Sequence, residues 1–203
     1  MFSPDLRHFS LSRDGREVYS PAEDTYTLID ALHADLDTIK SRKPLICAEI
    51  GSGSGAVLAS LAHMLGPELV YIGVDLNPKA AQMTQSTLLR NQVLYGEVLR
   101  MDLTTCLACQ QVDLLVCNPP YVVTPEAEYW EGQRNKDIVA AYAGGVKGRM
   151  MTDRLIKELP KCMRPGGLWY LLLVQENCPS EVGSEVFRRR IRGETQIVVR
   201  GGY

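Results

Sequence analysis

Leu45-Ile46-Cys47-Ala48-Glu49-Ile50-Gly51-Ser52-Gly53-Ser54-Gly55 is the stretch whose reading decides the fold. A short apolar run, residues 45–50, stops at a cluster of glycines. That pattern predicts a buried strand followed by a tight turn whose backbone can approach a ligand closely. Ala56 to Leu65 then carries apolar residues at helical spacing and stops at Gly66-Pro67. Strand, glycine loop and helix in this order present the amides and the positive dipole end of a helix N-terminus to whatever lies above the strand. By itself the loop is also a good structural turn. It satisfies the dinucleotide pattern G-x-G-x-x-G/A with Ala56 in the last place, so an oxidoreductase stays open at this point.

Outward from this unit, strands are predicted at 69–74, 93–100, 112–117, 168–174 and 196–199, and helices at 23–39, 78–91, 150–163 and 181–190. The first twenty residues and the segment 122–148 are polar and irregular, with one short helix expected near 137–143. Strands alternating with helices predict an α/β fold with a mostly parallel sheet covered on both faces. At 203 residues the chain is read as a single domain, 1–203. A net charge of −2 argues against a protein devoted to gripping a nucleic-acid backbone. Arg188-Arg189-Arg190 with Arg192 is the one basic cluster, and a solvated helix face is its ordinary meaning. No apolar run approaches the ~20 residues of a membrane span, and no secretory leader is visible, which points to the cytoplasm, with the nucleus also open. Of six cysteines only Cys106-x-x-Cys109 has ligand-like spacing. It lacks a second close pair, so no metal site is expected.

Two acids and one corner give the loop its chemistry. Asp75 ends the second predicted strand, at the distance from the glycines where a carboxylate accepts the hydroxyls of a ribose. Its other reading, a helix cap, is weaker because Asn77 before Pro78 is the better cap. Glu49 stands at the mouth of the first strand, where a pyrophosphate would be repelled and a cationic amino-acid and sulfonium group accepted. This favours S-adenosyl-L-methionine over NAD. Asn118-Pro119-Pro120-Tyr121 follows the fourth strand. Asn118 offers a carbonyl acceptor, and the prolines present carbonyls with no competing N–H. Two acceptors suit the two hydrogens of a planar –NH2 group, with Tyr121 against its face or edge. A proline-rich turn is the plain alternative.

Together, Glu49 to Gly55, Asp75 and Asn118 to Tyr121 resemble the seven-stranded, Rossmann-like class I S-adenosylmethionine-dependent methyltransferases that modify exocyclic or amide nitrogen. Val18 to Thr25, Asn118 to Pro125, and Ala143-Gly144-Gly145 followed by Gly148-Arg149 are similar to the eukaryotic and archaeal HemK-like branch. That branch methylates the glutamine of the Gly-Gly-Gln motif in class 1 translation release factors. The resemblance implies a cofactor-binding set of Thr25, Glu49, Gly51, Gly53, Gly55, Asp75, Leu76, Asp102, Leu103 and Asn118, with Asp102 and Leu103 at the adenine. It implies Asn118, Pro119 and Tyr121 as catalytic residues and Asn118, Pro120 and Tyr121 as substrate contacts. Residues 1–44 then form an N-terminal cofactor-covering segment and helix, and 45–203 the catalytic core. It also implies a small zinc-binding activator subunit as heterodimer partner. Three features depart from the family pattern: a long, charged 126–137 segment, Tyr142 where tryptophan is commoner, and a short stretch after Glu176.

The same –NH2 cage fits an adenine amino group, so a nucleic-acid adenine N6-methyltransferase is the competing class. The charge balance and the lack of a target-recognition domain stand against it. A methyltransferase for another protein side chain, such as lysine, is a third reading, and a non-catalytic cofactor-binding scaffold a fourth.

Overall fold

The computed structural model describes residues 3–11, 17–105, 107, 110–188 and 193–200, of which 10, 11, 188 and 193–200 by backbone alone. Its centre is a sheet in the order β3-β2-β1-β4-β5-β6, with every pairing parallel. The strands are β1 (Ile46–Ile50), β2 (Val70–Asp75), β3 (Gly96–Arg100), β4 (Val112–Cys117), β5 (Met163–Val174) and β6 (Gly193–Arg200). The helices are α1 (Arg7–Leu11), α2 (Glu23–Ala34), α3 (Leu36–Ser41), α4 (Ala56–Leu65), α5 (Pro78–Arg90), α6 (Glu126–Asn135), α7 (Val139–Tyr142), α8 (Met150–Cys162) and α9 (Pro179–Arg188). Among the described residues no helix is long and apolar enough to cross a membrane.

Alternation along β5 explains the two-sided core. Leu168, Tyr170 and Leu172 face a cluster built with Leu28, Ile29 and Leu32 of α2 and Val57, Leu58 and Leu61 of α4. Trp169, Leu171 and Leu173 face the other side, against Leu155, Ile156 and Leu159 of α8 and Val182 and Val186 of α9. A strand buried on both faces reads as a continuous apolar run, which is why 168–174 is so easily recognised.

Six strands are found among the described residues where seven were expected. The helix predicted over 23–39 is two, because Asp35 leaves helical geometry (φ −96°, ψ 12°). Its Oδ2 instead accepts the Tyr170 hydroxyl at 2.9 Å. β5 begins five residues early, since Met163 pairs with Val112 and a register shift absorbs the Pro-Gly-Gly segment. β3 starts only at Gly96, later than predicted. The short helix expected near 137–143 is α7, but the segment before it is not irregular: α6 fills it. That helix has little apolar periodicity of its own. It is held by buried Tyr129 and by close approach at Gly132, where an added Cβ would lie 2.7 Å from the Ala140 nitrogen. The Cys106–Cys109 pair and the side chains of the basic cluster at 188–192 lie outside the described residues.

The sheet places the site. The chain runs outward from β1 to β2 to β3, then returns to build β4, β5 and β6 on the other side. The reversal between β1 and β4 opens a crevice at their carboxyl ends. Parallel register sets Ile50 beside both Val74 and Cys117, so Gly51, Asp75 and Asn118 emerge together on one edge.

Candidate active site

A cavity of about 210 Å³ occupies that crevice. Every predicted site residue lines it except Gly55. Gly55 is turned away, onto α5, where an added Cβ would lie 3.0 Å from the Thr84 Cα, so it is a packing position of the loop. Gly51, Gly53 and Gly55 all take positive φ (74°, 51° and 76°). That left-handed geometry lets the loop fold back so that the Gly51 and Ser52 amides both donate to the Val74 carbonyl, at 2.8 and 3.0 Å.

Glu49 and Asp75 are tied to this loop from either side. Glu49 is 3 % exposed, and its Oε2 accepts from the Leu58 N–H at 3.0 Å, in the first turn of α4. Burial pushes its carboxyl well above the usual glutamate range; the Leu58 amide opposes this and the Asp75 charge adds to it. Asp75 accepts from the Gly53 amide at 2.9 Å and the Asn77 amide at 2.8 Å. Burial raises its carboxyl too, against the pull of the Gly53, Asn77 and Leu76 amides. Each oxygen of an ionised carboxylate can accept more than one donor, so both acids remain able to bind a ligand. Asn77 caps α5 as predicted, accepting from Lys79 N–H at 2.9 Å. Its Nδ2 donates to the Glu17 carbonyl at 3.0 Å, while Lys79 pairs with the Glu17 side chain. These contacts fasten the N-terminal segment, with Val18 and Tyr19, along the cavity.

At the other end stands the Asn-Pro-Pro-Tyr corner. The Asn118 Nδ2 donates to Asp24 Oδ2 at 2.9 Å, and Asn118 Oδ1 is buried with no partner. A buried carbonyl without a donor is costly, and a ligand N–H would supply the missing partner here. The Tyr121 hydroxyl, expected to meet a substrate, donates to Asp24 Oδ2 at 3.1 Å. Thr25 lines the cavity beside Asp24, and its Oγ1 accepts from the Ala22 N–H at 3.3 Å.

Three residues were not anticipated. Asp24, 1 % exposed, gathers Tyr19, Thr25, Asn118 and Tyr121 around one carboxylate. Its signal was available: Asp24, Leu28 and Leu32 share one stripe of α2, and an acid on an apolar stripe needs partners. Arg154 of α8 pairs with Asp102 and donates to the Tyr129 hydroxyl at 3.1 Å, fixing the acid expected at the adenine. Asn177 is fully buried, and its Nδ2 donates to the carbonyls of Tyr121, Lys147 and Gly148 at 2.9, 3.0 and 3.3 Å. Nothing in the sequence marks Arg154 or Asn177, because their partners lie far along the chain.

A profile of the family "Methyltransferase small domain" matches residues 25–134. "Methyltransferase HEMK2" of Mus musculus is 43 % identical over 190 residues, covering 92 % of this chain and 86 % of that protein. "eRF1 methyltransferase catalytic subunit mtq2" of Schizosaccharomyces pombe is 30 % identical over 177 residues, covering 81 % of this chain and 76 % of that protein. "Release factor glutamine methyltransferase" of Koribacter versatilis is 31 % identical over 156 residues, covering 76 % of this chain and 54 % of that protein. With similarity that runs through most of both partners and through the glycine loop and the Asn-Pro-Pro-Tyr corner alike, the chain belongs to the HEMK2/mtq2-like family of S-adenosylmethionine-dependent methyltransferases, the eukaryotic and archaeal release factor glutamine methyltransferase branch.

Proposed function

We propose that this chain is the catalytic subunit of a cytoplasmic enzyme that methylates the side-chain amide nitrogen of glutamine in the Gly-Gly-Gln motif of a class 1 translation release factor. The observation that carries the reading is that Asn118, which lines the cavity, keeps a buried, unpartnered Oδ1, in a corner whose prolines add only carbonyls. The names of the fission-yeast and bacterial relatives agree with it.

The lining fits S-adenosyl-L-methionine: the buried carboxylate of Glu49 and the half-buried one of Asp75 flank a loop of glycines. When bound, this cosubstrate supplies an electrophilic methyl group. Asp75 and Leu76 take its ribose, Thr25, Glu49 and the Gly51–Gly53 backbone its amino-acid part, and Asp102 and Leu103 its adenine. Residues 1–44 act as the cover of a single domain whose core is 45–203. Asn118 Oδ1 and the Pro119 carbonyl accept the two hydrogens of the substrate amide, aligning its nitrogen. Pro120 and Tyr121 complete the walls. As the N–C bond forms and the sulfonium S–C bond breaks, with the neutral thioether as leaving group, positive charge passes to the nitrogen, and the acceptors that Asn118 and Pro119 hold fixed in place would bind it more strongly. The extra proton leaves afterwards, so no general base is needed before transfer.

The partner reading is a small zinc-binding activator. The relative named as a catalytic subunit supports a companion chain. On this molecule β3, which carries exposed Leu99 and is preceded by exposed Leu94 and Tyr95, is a sheet edge among the described residues, and an exposed apolar edge invites pairing.

The test is transfer of a tritiated methyl group to a recombinant class 1 release factor, its Gln→Ala variant, a lysine-bearing peptide, DNA and RNA, with and without activator. Label on the release factor alone, lost in the Gln→Ala variant, supports the proposal. Label on adenine or lysine in preference to glutamine overturns it.

A further inference from the structure

We infer that Asp24 is a positioning residue that sets which way round the Asn118 amide presents itself to the substrate. This rests on the glutamine reading above. The side chain of Asn118 has an accepting end and a donating end of nearly the same shape. Only the accepting end binds an –NH2 substrate; reversed, it would set its own N–H groups against those of the substrate. A carboxylate can only accept, so the end of Asn118 that meets Asp24 Oδ2 at 2.9 Å has to be Nδ2. That choice leaves Oδ1 as the accepting end of a residue that lines the cavity, buried and with no other partner.

Asp24 is itself held against rotation. Its Oδ1 accepts from the Thr25 N–H at 2.7 Å, and the Tyr19 hydroxyl lies 3.1 Å from both oxygens. Burial and the Asp24 charge together push the Tyr19 hydroxyl above the usual tyrosine range, so it stays a donor. The Tyr121 hydroxyl donates to the same Oδ2 that holds Asn118. One oxygen therefore ties down both ends of the Asn-Pro-Pro-Tyr corner. An acceptor whose amide is polarised by a carboxylate behind it also binds a developing positive charge better.

The sharpest variant is Asp24→Asn. With its carbonyl kept on the Thr25 amide, its NH2 replaces Oδ2 and faces Asn118, which then turns over and offers N–H to the substrate. Turnover on a release factor, measured with the activator present, is expected to fall by roughly 10²-fold. Affinity for S-adenosylhomocysteine should change less than about threefold, since the Thr25 contact survives. Asn118→Asp alone sets two carboxylates against each other and should be similarly poor. In the double variant Asp24→Asn/Asn118→Asp the pairing is restored with donor and acceptor exchanged, and one oxygen of the carboxylate introduced at position 118 again faces the substrate. It is expected to exceed both single variants at least tenfold in turnover, a rescue that repair of general fold damage does not produce. Turnover of Asp24→Asn within threefold of the parent, or a double variant no better than Asn118→Asp, overturns the inference while leaving the glutamine reading intact. A parent enzyme that does not label glutamine overturns that reading and this inference with it.

Discussion

At the scale of single residues, Glu49 and Asn118 divide binding from chemistry. Burial holds the Glu49 carboxyl above its ordinary range, so the unliganded protein carries a proton there to higher pH than a free glutamate does. A ligand ammonium beside it favours the ionised form. Binding of S-adenosylhomocysteine is therefore expected to release a proton and to weaken as pH falls through the raised pKa. Asp75 is raised by burial as well, so the parent protein mixes both effects. Calorimetry in two buffers of different ionisation enthalpy measures the released protons, and Glu49→Gln should lower their number. For Asn118 the expectation is opposite in kind. Asn118→Ala removes one preorganised acceptor and should reduce turnover by ~10²–10³-fold with little change in cofactor affinity. Near-normal turnover in that variant would show that the amide cage does not operate.

Between elements, the corner after β4 depends on a distant residue. Asn177, just past β5, receives the Val174 N–H at 2.9 Å on Oδ1 while its Nδ2 serves the three carbonyls of Tyr121, Lys147 and Gly148. The Tyr121 backbone is thus fixed by Asn177 and its hydroxyl by Asp24. Gly148 packs so closely here that an added Cβ would fall 2.1 Å from the Tyr121 carbonyl oxygen, at a φ of +64°. Asn177→Ala strands buried polar groups on three segments and is expected to cost about 3 kcal/mol, seen in denaturant or thermal unfolding. Gly148→Ala should be at least as damaging, because backbone atoms have nowhere to move. An Asn177→Ala protein as stable as the parent would mean that solvent replaces the clamp.

Over the whole molecule, β3 and β6 are the two edges of the sheet among the described residues, and the β3 edge follows directly on Leu94 at 73 % and Tyr95 at 59 % exposure. Leu94→Glu combined with Leu99→Glu should lower affinity for an activator subunit at least tenfold in a pull-down titration. Cofactor binding by the isolated chain should change far less, since the cavity is lined just past β3 by Met101 to Leu103 and not by Leu94 or Leu99. Full activity and stability of the chain alone would count against any required partner. The acids of α6, Glu126, Glu128 and Glu131, lie on the segment that joins Val122 to the Ala143 bridge. Their charge disfavours a phosphate backbone near that segment.

Local pattern alone determined the parallel α/β class, the strand–glycine–helix unit and the three sites at strand ends, because each is written within a few consecutive residues: Glu49 to Gly55, Asp75, Asn118 to Tyr121. Their convergence follows almost automatically once adjacent parallel strands end at the same level. Tertiary structure decided the rest. α6 is a helix because Tyr129 and Gly132 find places to pack, not because its sequence is periodic. Gly55 is a packing glycine because α5 comes to lie against it. Asp24, Arg154 and Asn177 meet partners 94, 52 and 56 residues away in the chain. Hydrogen bonds of that separation leave no periodicity in a sequence, since whether a polar side chain is paired depends on which distant backbone or side chain the folded sheet brings within 3 Å of it.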